Sequence, residues 1–352
     1  MIIEQFLPAL HYGDAVGDSA LTLHRYAASR GVESRIIALT RDESVKDLAL
    51  GFEDYRENPR SLKILHYAVA SPLTDFFRQA PGKKAMIYHN VTPSHFFVDF
   101  SDFLVRFTRE GREHLRRLTD SFDLAVAVSR YNAAELTELG FPRVTVFPLL
   151  ANLDAYDGEY SRAFFEQLRD ERRNLLFVGR LTPNKKIEDL IKMVFFYKKY
   201  LSSAVRLVVV GNPRTLPVYA RALNDLAARF LLTAEDVVFT GHLPFAELLA
   251  AYRAADLFVS MSEHEGFCLP LLESCHFGLP VLAYAAAAVP ETLAGAGVLF
   301  SDKRSDRVAA LAEKIVEDEP LRSVLAERGR QRVVQYRREA DPALLLRQLE
   351  AL

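Results

Sequence analysis

The sequence predicts an α/β fold built from two doubly wound domains in tandem. Three observations predict it. Short β-branched or apolar runs alternate with longer amphipathic segments, the pattern of parallel strands covered by helices on both faces. The alternation runs once, breaks, and restarts. The chain has 352 residues, half of them hydrophobic, which is too much for one ordinary core and enough for two.

In the first half, Ser34–Leu39, Ala85–Tyr88, Leu124–Val128 and Val144–Phe147 read as strands, and Asp18–Ser29 and Asn132–Leu139 as helices. In the second half, Asn174–Val178, Val205–Val210, Val237–Phe239, Leu257–Ser260 and Val281–Ala283 read as strands, with helices such as Pro217–Phe230 and Phe245–Ala254 between them. The segment Leu149–Glu171 follows Pro148 and separates the sets, so it reads as a hinge leading into a helix from about Ser161 to Arg172. This places the domains at 1–155 and 156–335. The segment Pro320–Leu352 is expected to be mostly helical, and Leu344, Leu345, Leu346 and Leu349 give its last helix, about 335–352, an apolar face.

Bulk properties narrow the function. A net charge of −2 provides no field for nucleic acid. No apolar run is long enough to cross a bilayer. The start, MIIEQFLPAL, lacks the parts of a secretory signal and reads as a buried strand. Two cysteines, Cys268 and Cys275, make no disulfide framework and suit a reducing cytoplasm; both read as small packing residues. No His/Cys cluster has zinc spacing.

Two segments carry chemistry. In Ser260–Pro280, a strand ends near Ser260, Gly266 lets the backbone approach a ligand, and Pro270 opens a helix. The amides of Gly266, Phe267, Cys268 and Leu269 then face an anion at the helix start. Glu265 precedes that start and Glu273 follows it, about 12 Å apart were the whole interval helical. Such a pair can read hydroxyls on either side of a diphosphate, since a carboxylate accepts two hydroxyl hydrogens. The plain alternative is a capped helix with two solvated glutamates. In Phe177–Ile187, a strand ends at Val178, Gly179 turns the chain, and Arg180 and Lys185 lie in the loop at the strand's carboxyl end. Two cations there can clamp a diphosphate; the alternative is a solvated basic loop. Lys186 and Glu188 are read as solvated.

FVGRLTPNKK followed by SEHEGFCLPLLES resembles the retaining glycosyltransferases of family 4, the glycosyl transferases group 1, built on the GT-B fold. The likeness extends through VVFTGHLPFAELLAAYRAADLFVSMS and AVPETLAGAGVLF. It covers nearly the whole chain and is specific in the second half. It implies two Rossmann-like domains facing each other across a cleft, with the last helix returning to the first domain. It implies that Arg180 and Lys185 hold a donor diphosphate beside Gly179. Glu273 would bind the ribose hydroxyls. Glu265, with the Gly266 and Phe267 amides, would hold the transferred sugar. Gly241, His242 and Leu243 would lie against the base, and His89 matches the position where a histidine approaches the sugar. The implied reaction is retaining transfer of a hexose from a nucleotide-diphosphate sugar to a glycan or lipid-linked acceptor, in cell-surface polysaccharide or glycoconjugate synthesis. The acceptor hydroxyl would lose its proton to the departing phosphate. No cofactor and no metal is implied, because the protein supplies the positive charge itself.

The chain departs from the family pattern twice. Many relatives carry a Gly-Gly pair after the first strand, bringing amides to the phosphate; here Gly13 is followed by Asp14, which can face the acceptor instead. At the hinge, FPLLANLD replaces the usual Asn-Gly turn and keeps only Asp154. His66 reads as a structural histidine and His89 as a functional one. Arg106, Arg109, Arg112 and Arg116 line one side of a helix near Asp102–Asp120 and could meet an anionic membrane surface. Glu110 and Glu113 dilute that charge and favour a solvated helix. Rival functions are a nucleotide-sugar epimerase of GT-B-like fold and a non-catalytic sugar-nucleotide binding protein. A dinucleotide oxidoreductase is disfavoured by the missing GxGxxG fingerprint.

Overall fold

The computed structural model describes residues 2–11 and 13–352. Among them the strands are β1 (Ile2–Leu10), β2 (Glu33–Arg41), β3 (Leu50–Gly51), β4 (Leu62–Tyr67), β5 (Lys84–Tyr88), β6 (Leu124–Ala127) and β7 (Val144–Val146), then β8 (Arg173–Val178), β9 (Val205–Val210), β10 (Val237–Gly241), β11 (Leu257–Ser260), β12 (Val281–Tyr284) and β13 (Val298–Phe300). They form two wholly parallel sheets, ordered β3-β2-β1-β4-β5-β6-β7 and β10-β9-β8-β11-β12-β13. The chain divides into two compact units. One runs to Asn152 and resumes at Tyr336–Leu352; the other is Leu153–Gln335.

In the first unit, every residue of β4 and β6 is buried, as central strands covered on both faces must be. The buried charges of β4 and of neighbouring β1 are hydrogen-bonded, Glu4 through one of its two oxygens. Lys63 donates to the carbonyls of Asn58 (2.8 Å) and Pro81 (3.1 Å), and Glu4 accepts from Tyr55 (2.8 Å) and Ser61 (2.5 Å). The strand order reverses between β1 and β4, the point where such sheets bind ligands at the strands' carboxyl ends. The helix Pro342–Glu350 buries Leu345, Leu346 and Leu349. Leu344, expected on the same face, is 37% exposed, so the apolar stripe is three leucines wide. Thr145 at the sheet edge donates to Gln348 of this helix at 3.2 Å.

In the second unit the reversal falls between β8 and β11. The loops that follow these neighbouring strands carry Lys185 and Glu265. Three glycines knit the strand ends together. The Gly179 amide donates to Val210 and the Gly211 amide to Gly241, both at 3.0 Å. A Cβ on Gly211 would lie 2.1 Å from the Gly179 carbonyl oxygen, so only glycine fits.

Two expectations are corrected here. The helix expected over Ser161–Arg172 spans Arg162–Leu168. It stops because the Leu168 carbonyl accepts from Asn174 (2.7 Å) and Arg206 (2.9 Å) instead of continuing the helical ladder. Arg112 is not on a solvated face: it pairs with Glu135 and donates to the Val91 carbonyl at 3.0 Å, packing its helix, Asp102–Arg116, onto the first unit.

Candidate sugar-nucleotide site

The loop after β8 turns at Gly179 and closes in a short 3₁₀ turn, Pro183–Lys185. The side chain of Asn184 donates to the His264 carbonyl (3.0 Å), and the backbone carbonyl of Asn184 accepts from the Glu263 amide (2.9 Å). These bonds tie the loop to the one after β11. Lys185 consequently reaches Glu265, its Nζ lying 2.6 and 2.7 Å from the two carboxylate oxygens. Both side chains are largely buried, 14% and 8% exposed. Burial alone would push the Glu265 carboxyl up. The Lys185 charge and hydrogen bonds from Lys185, Ser262 and Cys268 outweigh it and hold the carboxyl below its usual range. Arg180, expected in the same clamp, is exposed, and among the described residues its guanidinium has no partner. Lys186 and Glu188, expected to be solvated, are only 28% and 25% exposed. They lie 3.6 Å apart, and Tyr219 donates to Glu188.

The interval between the two glutamates is not one helix. Glu265–Cys268 forms a turn, Cys268 adopts a left-handed conformation (φ 72°), and the helix runs Leu269–His276 with Pro270 in its first turn. Among the described residues, the amides of Gly266, Cys268 and Leu269 donate to no protein oxygen, leaving helix-start donors for an anion. The turn is braced from behind: Thr292 donates to the Phe267 carbonyl and the Ala288 amide to the Glu265 carbonyl (3.4 Å). Burial raises both thiols, with the Cys268 thiol raised further by Glu265 beside it and the Cys275 thiol pushed to about 12, so both are inert packing groups. Glu273, inside the helix, is 6% exposed. Its Oε1 accepts from Tyr156 at 2.6 Å and its Oε2 from Tyr252. Neither tyrosine was expected from the sequence. Two phenols occupy one lone pair on each oxygen and leave the others available to hydroxyl donors. At the end of β10, Gly241 has a positive φ of 76°, His242 is exposed and Leu243 is buried.

In the first unit, Gly13 makes a turn (φ 73°), and Asp14 caps the helix Ala15–Ser29 by accepting from the Gly17 amide at 3.4 Å. His89 follows β5. Its Nε2 lies 3.0 Å from Nδ1 of His66, whose Nε2 lies 2.9 Å from Oε1 of Gln5. The chain of bonds ends where Gln5 donates to the Ala20 carbonyl at 3.0 Å. Next to it, Asn90 has a φ of 84° and donates to Asn132, which donates to the Tyr88 carbonyl. Backbone held in this sparsely populated region is a feature of ligand loops.

Burial lowers the pKa of His66 well below 6.5 and that of His89 to about 3, so both rings are neutral. The folded pKa of His89 lies below its unfolded value. The unfolded state therefore binds the proton first, and stability is lost as pH falls from 6.5 toward 3. Between pH 7 and pH 5 the wild type should lose about 2 kcal/mol more than His89→Gln. Asp18, raised to about 6 by burial and by Asp14, acts in the opposite sense but is common to both proteins and cancels. Urea unfolding at the two pH values measures the difference; equal losses would place the ring in a solvated setting.

Taken together, the second unit presents an ammonium paired with Glu265, an unpaired guanidinium, a row of backbone donors and two fixed carboxylates around the switch of its sheet. That arrangement can hold a diphosphate and stabilise negative charge developing on it. Among the described residues no group of three or more His, Cys, Asp or Glu side chains could hold a metal ion.

The fold is that of GT-B glycosyltransferases. Over its whole length the chain superposes on sucrose-phosphate synthase from Thermosynechococcus elongatus, with a TM-score of 0.74, 18% identity and all of both chains covered. It likewise superposes on Anabaena HepE in complex with UDP and glucose, with a TM-score of 0.74, 16% identity and all of both chains covered. The glycosyl transferases group 1 family model matches residues 161–332, nearly all of the second unit and just under half of the chain. Among curated relatives, the chain is 26% identical over 263 residues to the serotype-specific mannosyltransferase WbdA of Escherichia coli, covering 72% of this chain and 31% of that protein. It is 33% identical over 175 residues to a GDP-mannose-dependent alpha-mannosyltransferase of Mycobacterium tuberculosis, covering 48% of this chain and 40% of that one. The chain thus spans less than half of the length of these two relatives.

Proposed function

We propose that the protein is a retaining glycosyltransferase that moves a hexose from a nucleotide-diphosphate sugar to a hydroxyl of a glycan or lipid-linked acceptor. The observation that carries this reading is the convergence of Lys185, Glu265 and the unpartnered helix-start amides on adjacent loops at the β8–β11 switch. Lys185, Arg180 and the amides of Gly266–Leu269 neutralise the departing diphosphate. Glu273 reads the ribose, Glu265 and His89 meet the transferred sugar, and Gly241–Leu243 flank the base. The mannosyltransferase relatives support mannose as the sugar and GDP as its carrier. The site lies in a chain that works at the cytoplasmic side of glycan assembly. Any contact with the membrane surface would be peripheral, through Phe103, Arg106 and Arg109, which are exposed. No helix among the described residues is long and apolar enough to cross a membrane.

Thermal-shift screening of GDP-, UDP-, ADP- and dTDP-sugars should single out one carrier, and product analysis with the matching acceptor should show the donor's anomeric configuration kept. Release of free or epimerised sugar without an acceptor would instead identify an epimerase. Binding with neither transfer nor donor hydrolysis would identify a sensor. A chelator should leave the transfer rate unchanged, because protein cations and amides supply the charge. Activity lost to the chelator and restored only by magnesium or manganese would remove the clamp.

A further inference from the structure

The hydrogen bonds behind His89 determine which of its nitrogens carries the proton. The Ala20 carbonyl can only accept, so the Gln5 atom facing it is the NH₂ and its Oε1 faces His66. His66 must then donate through Nε2–H. A neutral imidazole has one donor and one acceptor, so Nδ1 of His66 is a bare lone pair. The atom 3.0 Å from that lone pair, Nε2 of His89, must carry the hydrogen. The remaining nitrogen of His89, Nδ1, is therefore an acceptor, and among the described residues it has no partner. The two rings lie edge to edge and nearly parallel, with centroids 5.3 Å apart and planes inclined by 16°, and His66 and Gln5 are fully buried, so no water competes within the chain of bonds.

We propose that Gln5 and His66 are positioning residues that lock His89 in its Nε2–H tautomer, so that Nδ1 accepts a hydrogen bond from a hydroxyl of the bound sugar. The consequence is a preference in substrate class. A neutral hexose offers a hydroxyl donor to Nδ1. Where the hydroxyl facing Nδ1 is the one that a uronic acid replaces with a carboxylate, acceptor meets acceptor, and a sugar deoxygenated at that carbon offers nothing. This rests on the reading that His89 meets the transferred sugar.

The full-length protein, labelled with ¹⁵N-histidine, should show the Nε2–H tautomer for both His66 and His89 at pH 7.5, with each ring assigned by the signal lost in His66→Phe and His89→Gln. An Nδ1–H tautomer or a charged ring at His89 overturns the proposal; the tautomer itself is read in the unsubstituted protein, and His89→Gln alone suffices to assign the ring should His66→Phe fail to fold. Gln5→Met removes the end of the chain of bonds. By calorimetry it should weaken the intact hexose donor about tenfold, a hydrogen bond's worth. The matching nucleoside diphosphate should bind as before, and the preference for a hexose over the corresponding uronic acid donor should narrow. Equal loss for donor and nucleoside diphosphate would make Gln5 merely structural. If the wild type prefers the uronic acid or the deoxy sugar, the acceptor at Nδ1 is wrong. Should the wild type bind no nucleoside diphosphate at all, the glycosyltransferase reading itself fails, and that outcome is visible without reference to the tautomer.

Discussion

Lys185→Ala should destabilise the protein by about 3–5 kcal/mol at pH 8, the cost of breaking a buried pair and leaving a charge uncompensated. Glu265 would then sit largely buried with its main counter-charge gone, and burial alone raises its pKa. The sign follows from both states. In the wild type, the depressed Glu265 pKa contributes stability above the unfolded value, and this is lost as pH falls through the folded one. In the variant the raised pKa has the reverse effect, and stability is lost as pH rises. The gap between the proteins should therefore widen from pH 5 to pH 8. Denaturant unfolding at both values checks it, with Lys185→Met as the control for lost packing. A gap independent of pH would mean that the pair is not held away from solvent.

The second large effect separates the two glutamates. Glu273→Ala should weaken the nucleoside diphosphate and the intact donor alike, by about 1.5–3 kcal/mol or roughly ten- to hundredfold, because both carry the ribose. Glu265→Ala should weaken the donor and slow turnover, where charge changes in the transition state. It should not weaken the nucleoside diphosphate, and a modest gain is expected. Lys185 now spends its charge on Glu265 at 2.6 and 2.7 Å, and the substitution frees it for phosphate. Tyr156→Phe and Tyr252→Phe should follow Glu273→Ala in kind but more weakly, since each removes one of the carboxylate's two phenol donors. Calorimetry with both ligands on all four variants decides it. If Glu265→Ala loses the nucleoside diphosphate as steeply as Glu273→Ala does, the division of labour is wrong.

Much of the fold was legible because parallel core strands announce themselves. Val205–Val210 is apolar except for one arginine, and all six residues are buried. The edge strands β3 and β13 have two and three residues, too few to show a period. The loops bearing Lys185 and Glu265 were legible for a related reason. Glycine and charge directly after an apolar strand stand out locally, and the end of a strand at a sheet's switch is where ligands bind. What escaped the sequence acts across distance in the chain. Tyr156 and Glu273 are 117 residues apart, and Gln5 and His66 are 61 apart. A hydroxyl or an amide reaching over such a span leaves no spacing to detect. His66 was read as structural and is fully buried; that its partner is His89 could only come from coordinates. Lys186 and Glu188 misled because charged loop residues are usually solvated, whereas here Tyr219 and Glu263 draw them inward.

The division of the chain also sets an order of assembly. Leu153–Gln335 is one uninterrupted stretch, so every residue of that unit has been made before the chain passes Gln335. The other unit is split: its sheet precedes the second unit, but Tyr336, bonded to the Leu149 carbonyl, and the leucine stripe of Pro342–Glu350 follow it. During synthesis the early sheet must wait, with the surface meant for Leu345, Leu346 and Leu349 open to water, until nearly two hundred later residues have been made. Aggregation before completion is the hazard of such a layout. A nascent chain stalled before Tyr336 should accordingly carry a protease-resistant second unit attached to a first unit that chaperones still hold.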